Sequence, residues 1–397
     1  MTAPAAVHTA RHHAHVYTRD DGGFKDLRGA NVLIYFPHGF GDWVQLAYAL
    51  PLLEPSNRYW ITRFGDDNVA LMEGHPTVTP VYLGLNGTQN GGGEAFGNRN
   101  FGLGDDTADG SEHELQLPAS LHELCVRERI GALLWSPFLE TYGSTGFPYH
   151  SKARYFARGA APGAQTARVD FGVPLTSSLT FDVPAWAGQW VESRLRNMLG
   201  LPGRKLCIIG RNGYTSVGKN WGHRWREEMP DAQRREGEEC RDFMRLMLRK
   251  DPRWIFLTME DRLFGGDDTV RAPELNCRSY AEVFGEADSP SIPCGLVMKV
   301  LANVADLCVG VPAGPYHLCM TKPELPTVGV WLEHVPSWYD EPKDASIHVV
   351  SRNVRDHALD RRPGSFFDKG RLRFRTMHVD SRVVRGADVV AAVEALV

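Results

Sequence analysis

Two stretches constrain the fold more than any others. "NVLIYF" (31–36) is an unbroken apolar run, closed by Gly39 and Gly41, and "DWVQLAYALPLLE" then places apolar residues at helical spacing. "KLCIIG" (205–210) repeats the arrangement in the second half and is followed by a glycine-containing turn. Continuous apolar runs suit strands covered on both faces, as in a parallel sheet, and strand, glycine turn, helix opens a βαβ unit. Two such openings predict two doubly wound α/β domains. The length of 397 residues accommodates them, at roughly 150 residues per domain.

Strand and helix signals alternate along both halves. "RYWITRF" (58–64) and "VTPVYLG" (78–84) read as strands, and "LPASLHELCVRERIG" as a helix. Pro174, Pro184 and Pro202 around the helix "AWAGQWVESRLRNMLG" mark a boundary region between the halves. Beyond it, "CRDFMRLMLRK" (240–250) and "CGLVMKVLANVA" (294–305) read as helices. "RWIFLTME" (253–260), "DLCVGV" (306–311) and "PTVGVW" (326–331) read as strands, "GPYHLCMTK" opens a helix, and "GADVVAAVEALV" ends the chain as one. This gives a flexible N-terminal tail over 1–24, a Rossmann-like domain over 25–180, a second over 181–378, and a C-terminal helix over 379–397 packing back on the body. Residues 84–110, rich in Gly, Asn and Asp, read as a long loop.

Net charge is −4, with 44 basic against 48 acidic residues, so the chain as a whole has no pull towards nucleic acid and any anion site must be local. The seven cysteines include no C-x-x-C pair and mostly lie in apolar runs, which predicts buried thiols in a reducing, cytoplasmic compartment. The first residues lack the apolar core of a secretory signal, and no apolar stretch approaches 20 residues. His12, His13 and His15 are read as part of the flexible tail and not as a metal site.

In open α/β sheets ligands bind beyond the carboxyl ends of the strands. In "HGFGDW" (38–43), Asp42 is either a helix cap or a carboxylate that acts as general base, with His38 as the alternative base. "RNGYTSVGKNW" (211–221) offers Arg211, Thr215, Ser216 and Lys219 as donors to phosphates or, equally, as a solvated basic loop. It is not a Walker loop. Glu260 ends a strand and could accept from ribose hydroxyls. In "DLCVGVPAGPYHLCMTK" (306–322), Gly314-Pro315 opens a helix with His317 in its first turn, a setting for anions or for packing.

In this order, the four stretches resemble the heptosyltransferase family, glycosyltransferase family 9, which has the GT-B fold. The likeness runs over about 30–335 and rests on "NVLIYFPHGFGDWVQLAYALPLL", "CIIGRNGYTSVGKNW" and "DLCVGVPAGPYHLCMTKPELPTVGVW". It implies two Rossmann-like domains facing a cleft, the first for acceptor and the second for donor. It also implies a bacterial, metal-independent, inverting transferase using an ADP-heptose-like nucleotide-sugar, with no cofactor. The resemblance makes Asp42 the catalytic base. It assigns Gly41, Arg211, Thr215, Lys219, Glu260, Gly314, Pro315 and His317 to the donor. Where the family carries Asp-Ser/Thr, this chain has Pro312-Ala313. The acceptor would be a glycan, a lipid-linked sugar or a small molecule, with peripheral membrane contact left open. A degenerate nucleotide- or sugar-binding protein and a nucleotide-sugar epimerase are the alternatives.

Overall fold

The computed structural model describes residues 9–17, 27–36, 39–50, 53–63, 66–83, 111–135, 179–210, 221, 231–259, 273–285, 292–332, 343–352 and 375–396. The chain forms two compact units, Met1–Thr180 and Phe181–Val397.

The first unit contains β1 (Thr9–Tyr17), β2 (Asn31–Tyr35), α1 (Phe40–Ala49), β3 (Arg58–Thr62), α2 (Asp66–Val69) and β4 (Val78–Pro80). It continues with β5 (Ser111–Pro118), α3 (Ala119–Arg127) and β6 (Ala132–Trp135). These strands make a six-stranded sheet in the order β4-β3-β2-β6-β1-β5. Strands β2 and β3 are buried at every residue after their first, as the apolar runs predicted. Leu33, Tyr35, Leu115, Leu117, Leu121 and Leu133 form the centre of the apolar core on one face.

Residues 9–17 correct the expectation of a flexible tail over 1–24. They form β1, which pairs parallel with β6 and antiparallel with β5. The histidines obscured a period of two: Ala14 and Val16 are buried, while Arg11, His13 and His15 are exposed. The ring of His12 bonds through Nε2 to the Ile130 carbonyl at 2.8 Å. Strand β5 alternates in the same way, with Leu115 and Leu117 inward and Glu112, Glu114 and Gln116 outward.

The second unit runs α4 (Ala185–Arg194), β7 (Lys205–Gly210), α5 (Asp231–Lys250), β8 (Trp254–Thr258), β9 (Cys277–Ser279) and α6 (Tyr280–Phe284). There follow α7 (Cys294–Val304), β10 (Leu307–Gly310), α8 (Gly314–Met320), β11 (Thr327–Trp331), β12 (Ser346–Val350), β13 (Arg375–His378) and α9 (Gly386–Glu394). Its seven-stranded sheet, β13-β12-β11-β10-β7-β8-β9, is parallel throughout. Strands β8, β10, β11 and β12 are buried along their whole length. The C-terminal helix α9 packs on α5 within this unit, where the Gly386 amide donates to Glu239 Oε2 at 2.8 Å. A Cβ at Gly386 would lie 2.6 Å from the Glu239 carbonyl oxygen, so only glycine allows this approach. All seven cysteines are buried free thiols. Among the described residues, no helix is long and apolar enough to cross a membrane.

Candidate functional site

In open α/β sheets ligands bind beyond the carboxyl ends of the strands, above all where the chain reverses its direction of travel across the sheet. In the first unit the chain enters β2 from β1, on the side of β6, and goes on to β3 and β4 without reversing. Asp42 stands just past the carboxyl end of β2. Gly39 is extended (φ −68°, ψ 165°) and α1 begins at Phe40. The Asp42 carboxylate, at the third helical position, accepts from the Gly39 amide at 3.1 Å. That is the reach-back half of a capping box; Gly39 has no side chain to complete the other half. The junction is held by Trp43, which is fully buried and donates from its indole to the Phe36 carbonyl at 3.1 Å.

Asp42 is half-buried, so its carboxylate keeps access to solvent while its backbone is fixed. It also has a cationic neighbour. Arg63 follows β3 directly, and Phe36 at the end of β2 donates its amide to the Thr62 carbonyl at 3.1 Å. Burial pushes the Arg63 guanidinium down from its ordinary pKa, while Tyr35, Asp67 and Asp42 act against that shift. Sequence reading missed Arg63; its one signal was its position as the residue after a buried strand. Gly41 lies half-buried in the first turn of α1. His38 lies outside the described residues.

In the second unit the reversal falls between β7 and β10. The chain leaves β7 for β8 and β9 on one side, while β10 to β13 extend the other. The two strands end in register on glycines, Gly210 opposite Gly310, and the Val311 amide donates to the Gly210 carbonyl at 2.8 Å. A Cβ at Gly310 would sit 3.0 Å from the Gly210 oxygen and 3.3 Å from Tyr316 Cβ. The two glycines therefore let α8 come down onto the strand ends. Pro315 occupies the first turn of α8, and a Cβ at Gly210 would lie 3.8 Å from its ring.

Gly314 and Pro315 are thus brought beside the end of β7, whose next residue is Arg211. His317 is buried, 2% exposed, with its ring edge-on to Tyr316 at 5.5 Å. Its imidazole packs inside the unit, as does Pro315, so the accessible part of the α8 start is Ala313 and Gly314. Arg211, Thr215 and Lys219 lie outside the described residues, as does Glu260. Their flanks are fixed. Trp221 is fully buried and donates to the Val384 carbonyl at 3.2 Å. Met259, directly before Glu260, donates its amide to the Ile209 carbonyl at 3.0 Å beside the end of β7. Among the described residues no three His, Cys, Asp or Glu side chains are grouped to hold a metal.

No protein-family model matches the chain, and no curated protein matches it. Solved structures do. A glycosyl transferase family 9 protein from Veillonella parvula DSM 2008 superposes over 94% of this chain and 99% of its own, at 12% identity and a TM-score of 0.52. This chain has the GT-B fold. The ADP-heptose lps heptosyltransferase II of E. coli aligns over 92% of this chain and 98% of its own, at 12% identity and a TM-score of 0.48. Within this fold, Asp42 stands past the carboxyl end of β2 in the first α/β unit, and Gly314-Pro315 at the reversal of the second.

Proposed function

We propose that the protein is an inverting glycosyltransferase. It moves a sugar from a nucleotide-diphosphate donor onto an acceptor hydroxyl. The observation that carries the reading is Asp42: a half-buried carboxylate just past the carboxyl end of a buried parallel strand, oriented by the Gly39 amide, on a chain with the GT-B fold.

The chemistry has one displacement. The acceptor oxygen attacks the anomeric carbon and gives its proton to Asp42, while the bond to the diphosphate breaks on the opposite face. The ring passes through an oxocarbenium-like transition state, and the single attack opposite the leaving group inverts the configuration. Negative charge collects on the leaving diphosphate. Lys219 and Arg211 meet it as cations, and no metal is assigned to this step. Thr215 completes the phosphate contacts, Gly314 and Pro315 form the wall of the donor site, and His317 braces it from behind. Glu260 accepts from the donor ribose. The first unit takes the acceptor, which is a glycan, a lipid-linked sugar or a small molecule, and the second takes an ADP-heptose-like donor. The enzyme acts in the cytoplasm.

A thermal-shift series with ADP, UDP and GDP tests the donor class, because a ligand that binds only the folded state raises its melting temperature. Calorimetry with Lys219→Ala tests the phosphate assignment, and unchanged affinity would remove Lys219 from the site. Pro312-Ala313, in place of two polar residues, favours one competing reading: a protein that binds nucleotide or sugar without transfer. Sustained release of nucleoside diphosphate in the presence of an acceptor separates the two.

A further inference from the structure

The far end of α8 is closed by a lysine from another part of the chain. Lys343 directs its Nζ at four oxygens: the carbonyls of Cys319 and Lys322 at 2.8 Å each, the carbonyl of Leu325 at 2.6 Å, and Thr327 Oγ1 at 2.8 Å. An ammonium has three protons, so four short contacts resemble ion coordination more than separate directed bonds. The four oxygens all belong to residues 319–327, which carry the chain from α8 into β11. A cation there also opposes the negative end of the helix.

The backbone around Lys343 is equally constrained. Its carbonyl accepts from Ser346 Oγ at 2.9 Å, and the Thr327 amide donates to the Ala345 carbonyl at 2.8 Å. The Thr327 hydroxyl donates onward to the Leu325 carbonyl at 3.0 Å, so it turns a lone pair to the ammonium. One side chain therefore joins the end of α8, the start of β11 and the approach to β12.

We propose that Lys343 is a built-in cation. Its ammonium fills a cage of neutral oxygens of the kind that holds potassium elsewhere in proteins, and thereby fixes the short helix α8 against the ends of β7 and β10. Because α8 spans only Gly314–Met320, fixing its last turn also fixes Gly314 and Pro315. On the reading of those residues as part of the donor site, Lys343 is a positioning residue for the nucleotide.

The test uses the full chain, as wild type, Lys343→Ala and Thr327→Val. Melting is followed in tetramethylammonium chloride and in potassium chloride at equal ionic strength, and ADP affinity by calorimetry. Lys343→Ala is expected to melt several degrees lower, and potassium to restore part of the loss in the variant alone. ADP affinity should fall about tenfold, the scale of a lost charged hydrogen-bond set, and recover with potassium. Wild-type melting in Lys343→Ala overturns the clasp. A loss that potassium does not relieve overturns the built-in cation. Lower melting with unchanged ADP affinity overturns the positioning role. If wild type itself does not bind ADP, the donor reading and the positioning role fall together, and melting still decides the clasp. If Lys343→Ala does not fold, Thr327→Val decides: it removes one oxygen and should show a smaller loss of the same sign, and wild-type melting there overturns the proposal.

Discussion

The hydroxyl of Tyr316 lies 2.8 Å from Nε2 of His348, deep in the second unit. The pair joins the helix of the Gly-Pro-x-His sequence to β12, and Trp331 packs beside both rings. His348 is wholly buried, and burial pushes its pKa down to about 3 from the ordinary 6.5. The sign follows. Between those values the unfolded chain binds a proton that the folded chain refuses, so stability is present above pH 6.5 and is lost as pH falls towards 3. Between pH ~6.5 and ~5 the cost is about 2 kcal/mol. Urea midpoints measured across this range should fall less steeply in His348→Gln than in wild type; equal slopes would assign the acid sensitivity to other groups.

The same cluster depends on Gly329. A Cβ there would lie 2.7 Å from Trp331 Nε1, 2.9 Å from the Tyr316 hydroxyl and 3.2 Å from His348 Cδ2. Gly329→Ala is therefore expected to destabilise the second unit by about 1–3 kcal/mol, although alanine would otherwise favour a strand. Chemical denaturation checks this, and a neutral result would mean that the rings can move apart.

Strand β1 makes a directional prediction within one segment. Val16 is wholly buried and His13 is exposed three strand positions earlier on the other face. Val16→Asp places an unpaired charge in the core and should cost several kcal/mol, at least ~3, whereas His13→Asp should stay within about 0.5 kcal/mol. Equal tolerance of both would restore the flexible tail.

Legibility in the sequence followed burial. Strands β2, β3, β7, β8, β10 and β11 are covered on both faces, and each reads as a continuous apolar run. Strands β1 and β5 each carry polar side chains on one face, and their period of two was lost behind "HHAH" and "SEHE". Strand β9, of three residues, and β13, "RTMH" at a sheet edge, hold too few apolar residues to stand out. Strand β12 is fully buried but carries His348 in its middle, which broke the apolar pattern. Asp42 was visible because glycines and a carboxylate before a helix are local turn chemistry. Arg63 and Lys343 were not, because their partners are assembled only by the tertiary fold. The two roles first weighed for Asp42, cap and base, are compatible in one carboxylate that reaches back to Gly39 while staying half exposed.

That dual role can be separated by substitution. Asp42→Asn keeps a side-chain oxygen for the Gly39 amide but cannot take a proton at neutral pH. Asp42→Ala loses both. If Asp42 were a cap alone, Asn would behave as wild type, and Ala would cost about 0.5–2 kcal/mol of stability with activity following the folded fraction. If Asp42 is the base, both variants lose about 10²–10⁴-fold in turnover, and only Ala loses stability. Nucleotide affinity should change little in either, since Asp42 belongs to the unit assigned to the acceptor. The deciding measurement is turnover of Asp42→Asn at wild-type stability. Wild-type rates there would leave Asp42 as a helix cap and direct the search for the base to His38.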